Sequence, residues 1–274
     1  MHRCAVSLLA AIGLSAFQLS AQTSPPQPPP RPISSGGGGG GNFWEWHWSL
    51  GALSRRGPVV TGAAYSADHI VEVPGPPLPG ATGVRQMTNE RLYRDAEGRT
   101  RAERQPPAPP RPNGLKFPPL VEIHDPVAGV AYVLDMEAGV AHRVAMDPAP
   151  ATRGPVSSPP PRVTSLPPAQ GPGVEDLGDQ VMEGLVVHGT RRTVTLHPPP
   201  GRGDGTPSVQ VTETWYSPDL RLDILIKTTS SSVTTQKCVN ISRDEPSTLL
   251  FQPPAEFRIV DETGAGVSVS YVAQ

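Results

Sequence analysis

Cysteine is almost missing from this chain of 274 residues, which has only Cys4 and Cys238. Aromatic residues are few (Trp 4, Tyr 5, Phe 5). Neither sign of charge dominates, with 23 Lys and Arg against 25 Asp and Glu. Beyond the N-terminal segment no apolar run is long enough to span a bilayer as a helix. Each shortage excludes something. Without a basic excess the chain is not a dedicated nucleic-acid binder. Without heptads it is neither a coiled coil nor a helical bundle. Without repeated apolar stretches it is not a multi-span membrane protein.

Proline (36) and glycine (28) are abundant instead, near the level that marks low-complexity sequence. They are concentrated in blocks, which divide the chain. Residues 1–21 read as a secretory signal peptide. His2 and Arg3 lead an apolar stretch from Cys4 to Leu19, and Leu19-Ser20-Ala21 ends on a small residue. Cleavage there removes Arg3 and Cys4, leaving a mature chain with a slight acidic excess, no transmembrane span and one thiol. An intramolecular disulfide is then impossible even in an oxidising compartment. Cys238 sits in a β-like run and reads as a buried structural thiol.

Residues 22–58 read as a disordered tether. Pro25 to Pro32 favour polyproline II and Gly36 to Gly41 a flexible coil. Phe43-Trp44-Glu45-Trp46-His47-Trp48 closes the tether. Trp44, Trp46 and Trp48 share one face if the segment is extended. They are candidates either for contact with an envelope protein or glycan, or for anchoring the tether to the rest of the protein.

Residues 59–262 read as a β-domain with a Pro-rich insertion near 147–173, and 263–274 as a C-terminal segment. The strands expected are around His69–Val73, Val84–Tyr93, Arg99–Arg104, Val121–His124, Val130–Leu134 and Val140–Ala145, with turns at Asp95–Gly98, Asp125–Gly129 and Met136–Gly139. In the second half, Val181–Val187 and Arg191–Leu196 read as strands joined around Gly189, and Leu177–Glu183 as a short helix. Val209–Tyr216, Leu220–Lys227 and Val233–Ile241 follow, then short segments at Leu249–Phe251, Phe257–Val260 and Val267–Val272. Leu220, Leu222, Ile224 and Ile226 give the clearest half-buried alternation in the chain. The fold class is all-β: a single curved antiparallel sheet or half-barrel with disordered Pro/Gly-rich insertions, the alternative being a β-sandwich using the same strands.

The search for chemistry returns little. There is no GxSxG elbow, P-loop or HExxH motif. No cofactor or metal is called for, and the chain reads as non-enzymatic. His124 and His142 fall on adjacent strands and could approach, but a third ligand is missing. With Asp125 they are the only constellation that a hydrolase reading could use, and it lacks a nucleophile beside a base. Arg202-Gly203-Asp204 spells an adhesion tripeptide in a Gly-rich loop. The mixed-sign run from Arg85 to Arg104, with Glu90, Arg91, Arg94, Asp95, Arg99 and Arg101, reads as the solvated face of a hairpin. Convergence of Arg94, Arg99 and Arg101 on an anion is the sharper reading.

Arg91 to Arg101, reading RLYRDAEGRTR, resembles the charged hairpin of the periplasmic lipoprotein-carrier superfamily (LolA/LolB and RseB-like). Glu213 to Asp219, reading ETWYSPD, followed by an apolar strand and then by Phe251-Gln252-Pro253-Pro254, is similar to that superfamily's C-terminal half. Ile123 to Asp135, IHDPVAGVAYVLD, resembles a run in a group of secreted bacterial proteins. The likeness spans residues 60–262, with the Pro-rich insertions as departures. It implies a non-catalytic curved sheet whose hollow holds acyl chains or serves as a sensing surface, with helices plugging the concave side. This sequence offers almost no helix for that plug.

Taken together, the expected protein is a secreted or periplasmic binding protein of the bacterial cell envelope. Its expected ligand is a lipid or other apolar small molecule held by Trp215, Leu220, Leu222, Ile224, Ile226 and Tyr132, with Arg94 and Arg99 at the rim.

Overall fold

The computed structural model describes residues 43–55, 58–75, 83–106, 114–147, 173–196, 206–264 and 266–272. The expected signal peptide, residues 22–42 of the tether, most of the Pro-rich insertion, His197 and the Arg202-Gly203-Asp204 tripeptide lie outside them.

The first half is built by local signals. The strands β2 (Tyr65–Pro74), β3 (Val84–Arg94), β4 (Thr100–Arg104), β5 (Leu120–Asp125), β6 (Val130–Asp135) and β7 (Val140–Ala145) pair in succession as an antiparallel meander. Its turns are closed by aspartates. The Asp125 carboxylate accepts from the backbone N–H of Val127 and Ala128 at 2.9 and 2.9 Å. Asp135 accepts from Glu137 and Ala138 at 3.1 and 2.9 Å. Asp95, fully buried, accepts from the N–H of Glu97 and Arg99 at 3.0 and 2.8 Å. A carboxylate that mimics the turn's own carbonyl is why Asp is favoured there. The β3–β4 turn also needs Gly98, whose φ is +87° and where a Cβ would meet Val59 Cγ1 at 2.6 Å.

The second half comprises β8 (Val174–Met182), β9 (Leu185–Leu196), β10 (Ser208–Ser217), β11 (Leu222–Thr229) and β12 (Val233–Ser242). Two local expectations are corrected here. Residues 177–182 belong to strand β8 and not to a helix, and the β8–β9 hairpin turns at Glu183-Gly184, not at Gly189. Glu183 and Gly184 both have positive φ (49° and 74°), the conformation that two-residue hairpins require. Gly189 lies mid-strand because the Trp215 ring occupies the space of a side chain there; a Cβ would stand 2.4 Å from Trp215 Cζ3. The short segment Leu249–Phe251 belongs to a single 3-10 turn, Thr248–Phe251, capped by Ser247.

The halves join through β2 and β12, which pair antiparallel with His69 opposite Cys238. The result is one open twelve-stranded sheet. Only its last member is parallel: β13 (Arg258–Asp261) runs beside β7. Residues from β5 and β11 line the same hollow, although they lie five ladder steps apart, about 24 Å on a flat sheet. The sheet therefore curls strongly toward that face, as the sequence leads one to expect of a half-barrel.

A two-stranded ribbon covers one end of the concave face. It pairs β1 (Phe43–Ser49) with β14 (Gly266–Val272), and β1 runs into a one-turn helix, α1 (Leu50–Leu53). Trp46, Trp48, Leu53, Val267, Val269 and Tyr271 bury against Phe117, Leu120, Val133 and Val144. Tyr271 stands between Trp46 and Phe117, with ring centroids 5.4 and 6.1 Å away. A second cluster (Tyr65, Ala67, Leu185, Val187, Leu220, Ile224, Cys238) fills the other end. A third, around Phe251, covers Val121, Ile123, Leu134 and Ala141 on the opposite face of the meander.

Candidate functional site

Between the two filled ends the concave face carries three rows of side chains, fixed by strand register. The first runs Cys238, His69, Glu90, Arg104. The second runs Ala67, Leu92, Ala102, Glu122, Val133. The third runs Tyr65, Arg94, Thr100, His124, Ala131. Leu222, Asp223 and Ile226 of β11 close over them, with Gln236 of β12 beside them. The hollow they bound is partly open to solvent and measures about 180 Å³.

Its floor is polar and internally matched. Glu90 is 7% exposed; one carboxylate oxygen lies 3.0 Å from His69 Nδ1 and the other accepts from Arg104 Nε. Burial alone would raise the Glu90 pKa, but the His69 hydrogen bond and the Arg104 charge outweigh it and hold the carboxyl below its ordinary range. Glu122 accepts from Trp48 Nε1 at 3.0 Å and lies 2.7 Å from His124 Nε2. Arg94 is 6% exposed. It donates to the carbonyls of Ala63 (2.9 Å) and Leu220, and stacks over Tyr65 with 4.7 Å from Cζ to the ring centroid. Burial pushes the Tyr65 hydroxyl and the Cys238 thiol each up to about 12, so both stay protonated at neutral pH and neither is a ready nucleophile. Burial also pushes the Asp223 carboxyl up to about 6.

The residues expected from sequence fall in several places. Leu222 and Ile226 line the hollow. Leu220 and Ile224 are packed into the cluster that fills the far end, and Trp215 lies against that cluster with its ring across Gly189. Tyr132 is on the opposite face of the sheet, in the cluster around Phe251. Arg94 lines the hollow from within, whereas Arg99 is bound to Asp95 (2.6 Å) and Glu97 (2.8 Å) at the hairpin turn. Arg101 reaches Glu103 and the Leu250 carbonyl, so the three arginines do not converge. Trp46 and Trp48 are core residues of the ribbon; the Trp44 side chain lies outside the described residues. His124 is held by Glu122, His142 by Glu262 at 2.7 Å, and Asp125 by its own turn. Among the described residues no group of three His, Cys, Asp or Glu is placed to hold a metal ion.

Reading the Arg85–Arg104 run as a solvated hairpin face needs correcting at three positions: Glu90, Arg94 and Asp95 are buried. The signal that could have found them is alternation. Glu90, Leu92 and Arg94 share a face, so an inward-facing, half-buried Leu92 carries its charged neighbours with it. The signal fails because both faces of β3 are rich in charge.

No protein-family model matches this chain, and no curated protein matches it. Among solved structures, it is similar to LprF from Mycobacterium bovis, with 12% identity, 71% of this chain and 90% of that chain covered, and a TM-score of 0.28. It is similar to a LolA superfamily protein from Nitrosomonas europaea, with 5% identity, 71% and 92% covered, and a TM-score of 0.28. A DUF1329 family protein from Desulfovibrio piger matches with 11% identity, 69% and 90% covered, and a TM-score of 0.18.

Proposed function

We propose that this chain is a non-enzymatic binding protein of the bacterial cell envelope that holds the apolar body of a small ligand against its concave sheet. The observation that carries the reading is the hollow. About 180 Å³ of this partly open hollow is unfilled, room for roughly six waters by their share of liquid volume. Leu92, Ala102, Leu222 and Ile226 give it apolar walls. The same face is filled at both ends by ring and aliphatic side chains, so the gap is local. Its volume suits one short alkyl segment and not a whole lipid.

The chemistry of the lining supports binding over catalysis. His69 and His124 are each held by a carboxylate, and the Cys238 thiol and Tyr65 hydroxyl are locked in their neutral forms. The serine hydroxyl that meets an imidazole, Ser268 Oγ at 2.6 Å from His47 Nδ1, is on the β1–β14 ribbon, and neither residue lines the hollow. Residues 1–21 support export. Capture of a partner by the Trp-rich segment is the weaker reading, since Trp46 and Trp48 are spent on the core.

Native mass spectrometry of the mature chain exported from a bacterial host tests the reading. A mass excess that disappears on denaturation is expected. Leu222→Gln and Ile226→Gln should reduce it while the thermal unfolding curve keeps its shape. Identical native and denatured masses, persisting after incubation with excess alkyl ligands, would sink the idea.

A further inference from the structure

The buried charges of the hollow are matched, and of the two lining charges with no ion pair or side-chain hydrogen bond among the described residues, Arg221 is exposed to solvent while Asp223 is half-buried. Glu90 takes His69 and Arg104, Glu122 takes Trp48 and His124, and the Arg94 guanidinium is spread over two carbonyls and a ring. The Asp223 carboxylate has neither a hydrogen-bond donor nor a cation among the described residues, and burial is the sole cause of its perturbation. It does no structural work of the kind done by Asp95, Asp125 and Asp135, each of which closes a turn. The Asp223 backbone pairs with Tyr216 in the β10–β11 ladder and its carbonyl accepts from the Cys238 thiol at 3.8 Å. A half-buried carboxylate without donors lowers stability, and such a group in a cleft is a candidate for contact with a ligand.

We propose that Asp223 is the counter-ion for an ammonium group borne on the apolar body of the ligand, which rests on the reading of the hollow as the binding site. The neighbouring chemistry selects this class. A neutral alkyl ligand would strip the remaining water from Asp223 and return nothing for it. An anion beside Asp223 would meet that carboxylate, while the lining cations Arg94, Arg101, Arg104 and Lys237 are already engaged. An ammonium group forms a charge-assisted hydrogen bond with the carboxylate while its alkyl part lies on Leu222 and Ile226. The groups around Asp223 do not take its place. Tyr216 on β10 and Cys238 on β12 both feel its charge and are both pushed toward their neutral forms. Arg94 on β3 is turned onto Tyr65. Arg221 in the turn before β11 is exposed to solvent.

Calorimetric titration of the full mature chain with octylammonium, octanol and octanoate tests the proposal. At pH 8 octylammonium is expected to bind at least about tenfold more tightly than the other two, the effect of one charge-assisted contact. That preference should disappear in Asp223→Asn, and in the unaltered protein it should fall as the pH drops from 8 to 5. The pH series needs no substitution, so it stands even if the variant folds poorly. Asp223→Asn should also unfold at a higher temperature than the parent when no ligand is present. A short-chain phosphatidylethanolamine run alongside distinguishes the source: tighter binding than octylammonium assigns the amine to a lipid headgroup, weaker binding to a free amine. Equal affinity for octanol and octylammonium, unchanged in Asp223→Asn, overturns the proposal and leaves the hollow as a binding site. Failure of every probe to bind overturns both.

Discussion

Trp48 Nε1 donates to Glu122 Oε2 at 3.0 Å, across 74 residues of sequence. This bond ties the β1–β14 ribbon to the floor of the hollow, because Glu122 also holds His124 on its other oxygen. Trp48→Phe keeps the ring and removes the donor. It is expected to destabilise the protein by about 1–3 kcal/mol, the cost of leaving a buried acceptor short of a partner. Urea unfolding followed by circular dichroism measures it. An unchanged midpoint would mean that the contact contributes shape alone.

Arg104 and Glu90 form the other buried pair. Arg104→Met leaves the Glu90 carboxylate with His69 as its remaining partner. Removing one member of a buried pair costs about 3–5 kcal/mol. The Glu90 pKa is held low in the folded protein, so its contribution is present above the unfolded value and lost as pH falls through the folded one. Without Arg104 the folded value rises, and acid unfolding should begin at a higher pH. A pH series of unfolding midpoints for parent and variant shows the displacement, or its absence.

Asp223 works in the opposite sense. Its folded carboxyl titrates at about 6 against 3.8 for the ordinary group. The folded state therefore binds the proton more tightly, and the stability associated with it is present below the unfolded value and lost as pH rises through about 6. Relative to Asp223→Asn, the parent should lose on the order of 2 kcal/mol between pH 4 and pH 7. Taking the difference between the two proteins removes the opposing trend from carboxyls held low, such as Glu90 and Asp68. A flat difference across that range would show that Asp223 is solvated in the fold.

Gly189 and Trp215 form a pair defined by shape. A methyl at position 189 would stand 2.4 to 2.7 Å from three atoms of the Trp215 ring. Gly189→Ala is expected to cost about 1–3 kcal/mol through overpacking. Adding Trp215→Leu should recover part of that loss, which a double-mutant cycle of unfolding free energies would detect as coupling. Strict additivity would contradict the contact.

The meander from β2 to β7 was legible in the sequence because its causes are local. Alternation sets the strands, and Asp125, Asp135 and Asp95 stop them with their own side chains. The β8–β9 turn was misplaced because Gly189 carries the turn residue's signature for a different reason: a tryptophan from β10 lies on it, and nothing near it in sequence announces that.

By itself the sequence determined the all-β class and the half-buried alternation of residues 220–226. Period-two patterning and turn chemistry act within a few residues, so they can be read without the fold. Tertiary structure alone decided which strands meet at long range, with β2 beside β12, β1 beside β14 and β13 parallel to β7. It also decided which face of each strand became the hollow. Alternation divides a strand into two faces but does not rank them when both are covered, as in the meander, where Val133 packs under the ribbon and Tyr132 under Phe251. The polar floor was hidden for the same reason: Glu90, Arg104 and Glu122 are tolerated inside only because partners distant in sequence neutralise them, and that matching exists only once the sheet has curled.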